Sequence, residues 1–162
     1  MTPAEGMLGA IEASALGAAM RSSLWLYPAV EIVHILGFAI LVGSVAMLDL
    51  RLLGLSKKLP VSALARHLLP WTLGSLVLVI PSGLAMFAAH AGDFVSNPAF
   101  VAKIGLLMAA GANAAAFHAG VYQTVKAWDI GAAAPVAARL HAAASLAIWV
   151  AVISCGRLLA YV

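Results

Sequence analysis

Charge is what this sequence lacks. Nine Lys and Arg plus six Asp and Glu make up only 9% of its 162 residues, whereas 64% are hydrophobic. A soluble domain carries about a quarter charged residues, because it has to cover its core with a solvated surface. A water-soluble globule is therefore excluded. A bilayer removes the requirement, and since each crossing takes about 20 apolar residues, the chain has room for four crossings and for no separate soluble domain. Cysteine is nearly absent too. Cys155 stands alone inside an apolar run, which excludes an internal disulfide and a thiolate metal cluster. Lys and Arg are missing from the start, Arg21 being the first cation, so a cleavable signal peptide is not expected. The net charge of +3 comes from scattered loop cations rather than a basic face, which argues against a nucleic-acid partner. Walker loop, dinucleotide fingerprint, zincin motif and serine elbow are all missing. E-x-x-H occurs once, where a di-iron bundle needs two such motifs and further carboxylates. The six methionines are scattered, unlike the clustered thioethers that copper(I) transport would use.

What is present is a series of apolar runs. The fold class they predict is all-α, an integral membrane four-helix bundle. The expected spans cover about residues 24–48, 70–89, 98–125 and 135–160, all in one domain. Trp25 and Tyr27 sit at the start of the first, at the level amphipathic rings prefer. Thr2-Pro3 reads as a helix start, and residues 3–20 as an interfacial helix. Residues 60–69 read as a second interfacial helix before Pro70-Trp71 opens the next span. Pro81-Ser82-Gly83 inside that span predicts a kink, and Asn97-Pro98 predicts a helix cap. Arg51, Lys57, Lys58, Arg66, Lys126 and Arg139 collect on one side, against Arg21, Lys103 and Arg157 on the other. The positive-inside rule then puts both termini outside the cytoplasm, and the expected location is a bacterial inner membrane.

An ionisable residue inside hydrocarbon is a functional hypothesis by default. Glu31 and His34 share one face of the first span, Asn113 and His118 lie in the third, and His141 and Arg157 in the fourth. His67 and His90 fall at interface depth. With span centres near residues 37, 114 and 148, a rise of about 1.5 Å per residue puts His34 about 5 Å to one side of the midplane. His118 and His141 lie about 6 Å and about 10 Å to the other. By depth, His118 and His141 are the matched pair. Two histidines inside a bundle can ligate one haem iron, and haem b is the expected cofactor. Small residues that would leave room for a flat ring lie nearby: Gly37 one turn after His34, and Gly111, Ala115 and Ala119 beside His118. Arg139 and Arg157 are candidates to neutralise propionates. The alternative is plain packing: Gly111, Ala115 and Ala119 form a small-xxx-small series that brings helices together with no cofactor, and the histidines then make interhelical hydrogen bonds. Asp49 with Arg51 reads as the membrane edge.

The run WLYPAVEIVHILGFAILVGSVAMLDLRLLGL, followed by LPW, NPAF, FH, AWD and GRLLAY, resembles an uncharacterised family of small bacterial four-helix membrane proteins, from Ser22 to the end of the chain. The resemblance implies the fold and the inner-membrane location and brings no established activity. It points to Glu31, His34, Asp49, Arg51, Asn97, His118 and Arg157, and leaves out His141, which weighs against the pairing by depth. More distantly, the H-x-x-G helix with a later-helix histidine is similar to copper-resistance membrane proteins and small b-type cytochromes. Three functions are therefore weighed: a haem b protein moving electrons or sensing redox state, a proton or metal-ion transporter using the Glu/His track, and a structural subunit of a larger complex. Membrane lipids are the expected surroundings, with a second copy or a redox protein as partner.

Overall fold

The structure, a computed structural model, describes residues 3–159 and 161; the expected cap at Thr2 lies outside them. The segment 3–20 is not one helix but two, α1 (Pro3–Glu12) and α2 (Ala15–Ser22). The break follows from Ser14, whose Oγ accepts the Gly17 N–H at 3.2 Å and caps α2. Gly17 is required there, since a Cβ would lie 2.5 Å from the carbonyls of Ala88 and Glu12. The pair of helices crosses the end of the bundle rather than lying apart from it. Met20 is buried with Ala85 and Ala89, and the Arg21 guanidinium donates to the carbonyls of Ala89 (2.8 Å) and Glu12 (2.7 Å).

Among the described residues, four helices are long and apolar enough to cross a membrane: α3 (Leu26–Leu53), α4 (Val61–Ala89), α6 (Pro98–Ala119) and α7 (Val136–Leu158). This is a multi-pass membrane protein with an all-helical bundle. α3 ends at Gly54, whose φ of +114° lets its N–H reach the Arg51 carbonyl while the Leu55 N–H reaches Leu50. α4 corrects one expectation. Residues 60–69 are not a separate interfacial helix; from Val61 on they form its first turns, and the helix continues unbroken through Pro70 and Pro81. Proline removes a donor and frees a carbonyl, but local hydroxyls engage the neighbouring backbone. Thr72 Oγ1 donates to the Leu68 carbonyl at 3.1 Å, and Ser82 Oγ to that of Leu78 at 2.5 Å. A short α5 (Ala91–Ser96) leads to Asn97, whose Oδ1 accepts the N–H groups of Ala99 and Phe100 and caps α6 as expected. α6 stops at Ala119, and a 3-10 turn (Val121–Ala127) follows where the third span was expected to continue.

α3 packs along α4, α6 along α7, and α3 meets α7, where Phe38 and Trp149 touch edge to face at 5.9 Å. Gly37 lets α3 and α4 approach: a Cβ there would lie 2.8 Å from Leu78 Cβ. The Cα atoms of α4 and α6 nowhere come within 8 Å of each other. That gap is closed at the α5 end by the stacked rings of Phe87, Phe94 and Phe100, whose centroids are 5.1–6.3 Å apart. At the opposite end, Arg51 is 2% exposed and donates to three carbonyls: Leu59 (2.7 Å), Lys57 (3.1 Å) and Asp129 (3.1 Å). It ties the α3–α4 loop to the segment after the 3-10 turn. The Asp129 carboxylate accepts the Ser62 N–H (2.7 Å) and hydroxyl (2.8 Å), and these bonds hold it below the usual carboxylate range.

Candidate functional site

Two helix pairs joined along one edge flank an open-sided cavity of about 1490 Å³, lined mainly by apolar side chains from α3, α4, α6 and α7. Pockets for small molecules usually measure about 300–1,000 Å³, so this one has space for a bulky occupant. Its polar groups fall into two sets. Glu31, His34, Lys103 and Arg157 belong to the α5 end; Asp49, Asn113, His118, His141 and Ser145 belong to the Arg51 end. The separation follows from antiparallel topology, because α3 and α6 start at the α5 end and α7 finishes there.

His34 is held by α4. Its Nδ1 lies 3.1 Å from the Val79 carbonyl and 2.9 Å from Ser82 Oγ. A carbonyl only accepts, and the Ser82 hydroxyl donates to Leu78; Nδ1 therefore carries the proton and Nε2 keeps a free lone pair. Gly83 makes space for the ring, since a Cβ there would lie 3.2 Å from His34 Cε1. Phe38 stacks over the imidazole at 6.5 Å. Lys103 of α6 reaches the same end, with Nζ 3.8 Å from the place of a Cβ on Gly156. It makes no ion pair among the described residues. Arg157 is exposed, bonded to the Tyr161 hydroxyl and lying over its ring. Glu31 is exposed at the cavity wall.

At the Arg51 end the same device recurs. Asn113 Nδ2 donates to the His141 carbonyl at 3.0 Å, which turns its Oδ1 to accept the His141 Nδ1–H at 2.8 Å. His141 Nε2 is left free. His118 makes no side-chain hydrogen bond among the described residues and stands edge to face against Tyr122 (5.0 Å) and Phe117 (5.1 Å). Phe117 also meets His141 at 6.0 Å, so one buried ring touches both histidines. Asp49 is 6% exposed and its Oδ2 has no hydrogen-bond partner among the described residues. Its neighbour is Ser145 of α7.

Several sequence expectations land elsewhere. Asp49 and Arg51 do not mark an edge together: two helical positions turn them to different surroundings, the carboxyl into the cavity and the guanidinium into the loops. Gly37 lies in the α3–α4 seam rather than in the cavity wall, while Gly111 and Ala115 do line it. A Cβ on Gly111 would meet nothing within 4 Å, so the small residue packs against no helix of this chain. Arg139 is exposed and does not line the cavity; His90 pairs with Asp93 at 3.6 Å outside it. Lys103, read in the sequence only as a loop-side cation, is a wall residue. Its position on a face shared with Leu107, Ala110 and Ala114 was the available signal. Among the described residues no three His, Cys, Asp or Glu converge as a metal-binding group.

A family model described as a family of unknown function (DUF6644) matches residues 9–162. No curated protein and no solved structure matches the chain.

Proposed function

The chain belongs to that family of unknown function, and from this premise we propose that it is a membrane haem b protein that transfers electrons or senses redox state, with His34 as the axial ligand. The observation that carries the reading is His34 itself. Its Nδ1–H is spent on the Val79 carbonyl, and its Nε2 makes no hydrogen bond among the described residues. It stands in the wall of a large apolar cavity, with Lys103, which forms no ion pair among those residues, at the same end. Ligating histidines are held in this manner, the second ring nitrogen donating to a carbonyl or carboxylate. The donor set suits a porphyrin better than a bare ion. No three-ligand group forms among the described residues, whereas a porphyrin brings four equatorial nitrogens and needs one or two imidazoles.

Bound haem would supply a one-electron couple. The chain's own residues would hold and tune it. Val79 and Ser82 fix the imidazole, Gly83 keeps its edge clear, and Lys103 and Arg157 offer cations to two carboxylates at the α5 end. Phe38 and the aliphatic wall exclude water, which biases the potential of any group held there. His141, prepared in the same way by Asn113, is the second candidate ligand, with His118 beside it. Loop cations favour a topology with both termini outside the cytoplasm, in the bacterial inner membrane.

The test is the absorption spectrum of purified protein supplied with haem. A Soret band that His34→Ala abolishes and His141→Ala leaves supports the assignment. Loss in His141→Ala alone moves the ligand to the other end, and no band in the unsubstituted protein overturns the reading.

A further inference from the structure

Asp49 has the Ser145 hydroxyl as its neighbour, yet one of its carboxylate oxygens is left without a partner among the described residues. It is 94% buried by its 6% exposure, it lines the cavity, and its Oδ2 accepts no hydrogen bond. Arg51 is committed to three carbonyls, and Arg66, which also lines the cavity, forms no ion pair with it. A buried acceptor without a donor costs more than a made bond returns, so the site is built for something that brings a donor. The way in is from the side. α4 and α6 keep their Cα atoms apart. The phenylalanine stack closes that gap at the α5 end, and the 3-10 turn, with Val125 in one buried cluster with Val61, closes it at the Arg51 end. Leu73 and Ile104, which line the cavity between the two closures, are 55% and 44% exposed, so the opening lies at mid-depth, toward the bilayer. An occupant arriving there is lipid-soluble.

We propose that the Arg51 end of the cavity is a second binding site, for the hydroxylated ring of a quinol, with Asp49 Oδ2 accepting its O–H and its apolar tail lying in the α4–α6 gap. The ring would share the pocket with Phe117, Tyr122 and His141, flat or edge-on surfaces of matching kind. The choice of a redox-active hydroxyl compound over any other lipid alcohol rests on the haem reading, because such a compound is a source of electrons soluble in the membrane. The volume, about 1490 Å³, exceeds the usual range for one ligand of about 300–1,000 Å³, which leaves room for a second occupant.

The polarity of the site gives a sharp test. A carboxylate accepts, so it favours the quinol over the quinone, which can only accept. Binding is measured on the purified full-length chain in lipid nanodiscs, using a short-tailed benzoquinone that quenches Trp149, a residue of the cavity wall, and its quinol as the displacing ligand; Trp149→Phe identifies the quenched signal. The quinol binds about tenfold more tightly, the scale of one hydrogen bond to a charged group. Asp49→Leu, which can neither accept nor donate, removes the preference. Asp49→Asn, whose uncharged amide both accepts and donates, narrows it, and Asp49→Glu retains it. Equal affinity for both forms, a tenfold preference undiminished in Asp49→Leu, or equally tight binding of a non-redox alkyl alcohol overturns the proposal. Quinol preference without any Soret band would keep this site and refute the haem assignment; a Soret band without quinol preference would do the opposite.

Discussion

Asn113 grips His141 at two points, accepting the ring Nδ1–H at 2.8 Å and donating to the backbone carbonyl of the same residue at 3.0 Å. One amide thus fixes both the tautomer of the imidazole and the register of α6 against α7. Interhelical hydrogen bonds in membranes contribute about 0.6 kcal/mol on average and up to about 1.7 kcal/mol. Asn113→Leu is expected to lower stability within that range, read by reversible unfolding in mixed micelles. It should also free the His141 ring, seen as a change in its Nδ1 and Nε2 nitrogen shifts.

Glycine positions differ in what they do, and alanine substitution separates them. Gly37→Ala places a Cβ 2.8 Å from Leu78 Cβ and 3.0 Å from Val79 Cγ2, which forces α3 and α4 apart. Overpacking of this sort costs about 1–3 kcal/mol. Gly111→Ala meets nothing and is expected to be neutral or slightly stabilising. Thermal unfolding of the two variants side by side checks both.

Arg51 should be among the most sensitive residues of the chain. Removing it takes the side-chain donor from the Leu59 carbonyl and one of two donors from the carbonyls of Lys57 and Asp129, which keep the N–H groups of Gly131 and Val61. Bonds from a charged donor are worth about 1.5–3 kcal/mol each, so Arg51→Ala is expected to cost at least about 3 kcal/mol. Arg51→Lys recovers only part, because an ammonium lacks the fork that spans the carbonyls. Proteolysis between residues 54 and 60 would report the opened loop.

Asp129 gives the Arg51 end an acid limit. Its carboxylate is held below the usual range, first by the Ser62 N–H and also by the Ser62 hydroxyl. The folded value lies below the unfolded value of about 3.9. The contribution is therefore complete well above that pH and disappears as pH falls through the folded value. Asp129→Asn is expected to flatten this part of the acid limb. The readout is hydrogen exchange of the Ser62 amide from neutral pH downward, in both proteins.

The four spans were legible because about 20 apolar residues with polar ends leave few other folds. The helix start at Asn97-Pro98 was legible because both residues have a local mechanism. What the sequence hid depends on contacts between distant segments. Pro70 reads as a boundary until Thr72 and its neighbours are seen to keep the helix whole. Asp49 and Arg51 look like one polar pair until α3 turns them into different surroundings. Lys103 looks like a loop cation until α6 is placed beside the end of α7. Of the site, Glu31, His34, Asn113, His118, His141 and Asp49 stood out by being polar in an apolar run, whereas the grouping into two ends needed the topology. The tautomers needed Val79 and Asn113, which no spacing announces.

The clip made by Arg51 joins residues far apart in the chain, since its guanidinium and the Val61 N–H both end on the Asp129 carbonyl. During synthesis, α3 and α4 are complete long before residue 129 exists. Until then the first hairpin must wait in the membrane with one acceptor for that cation missing. Assembly at this end therefore runs in a fixed order, and the final seal is set by the arrival of the α6–α7 connection. A chain truncated before residue 129 should insert its first hairpin yet leave that loop open to factors that survey unfinished membrane proteins.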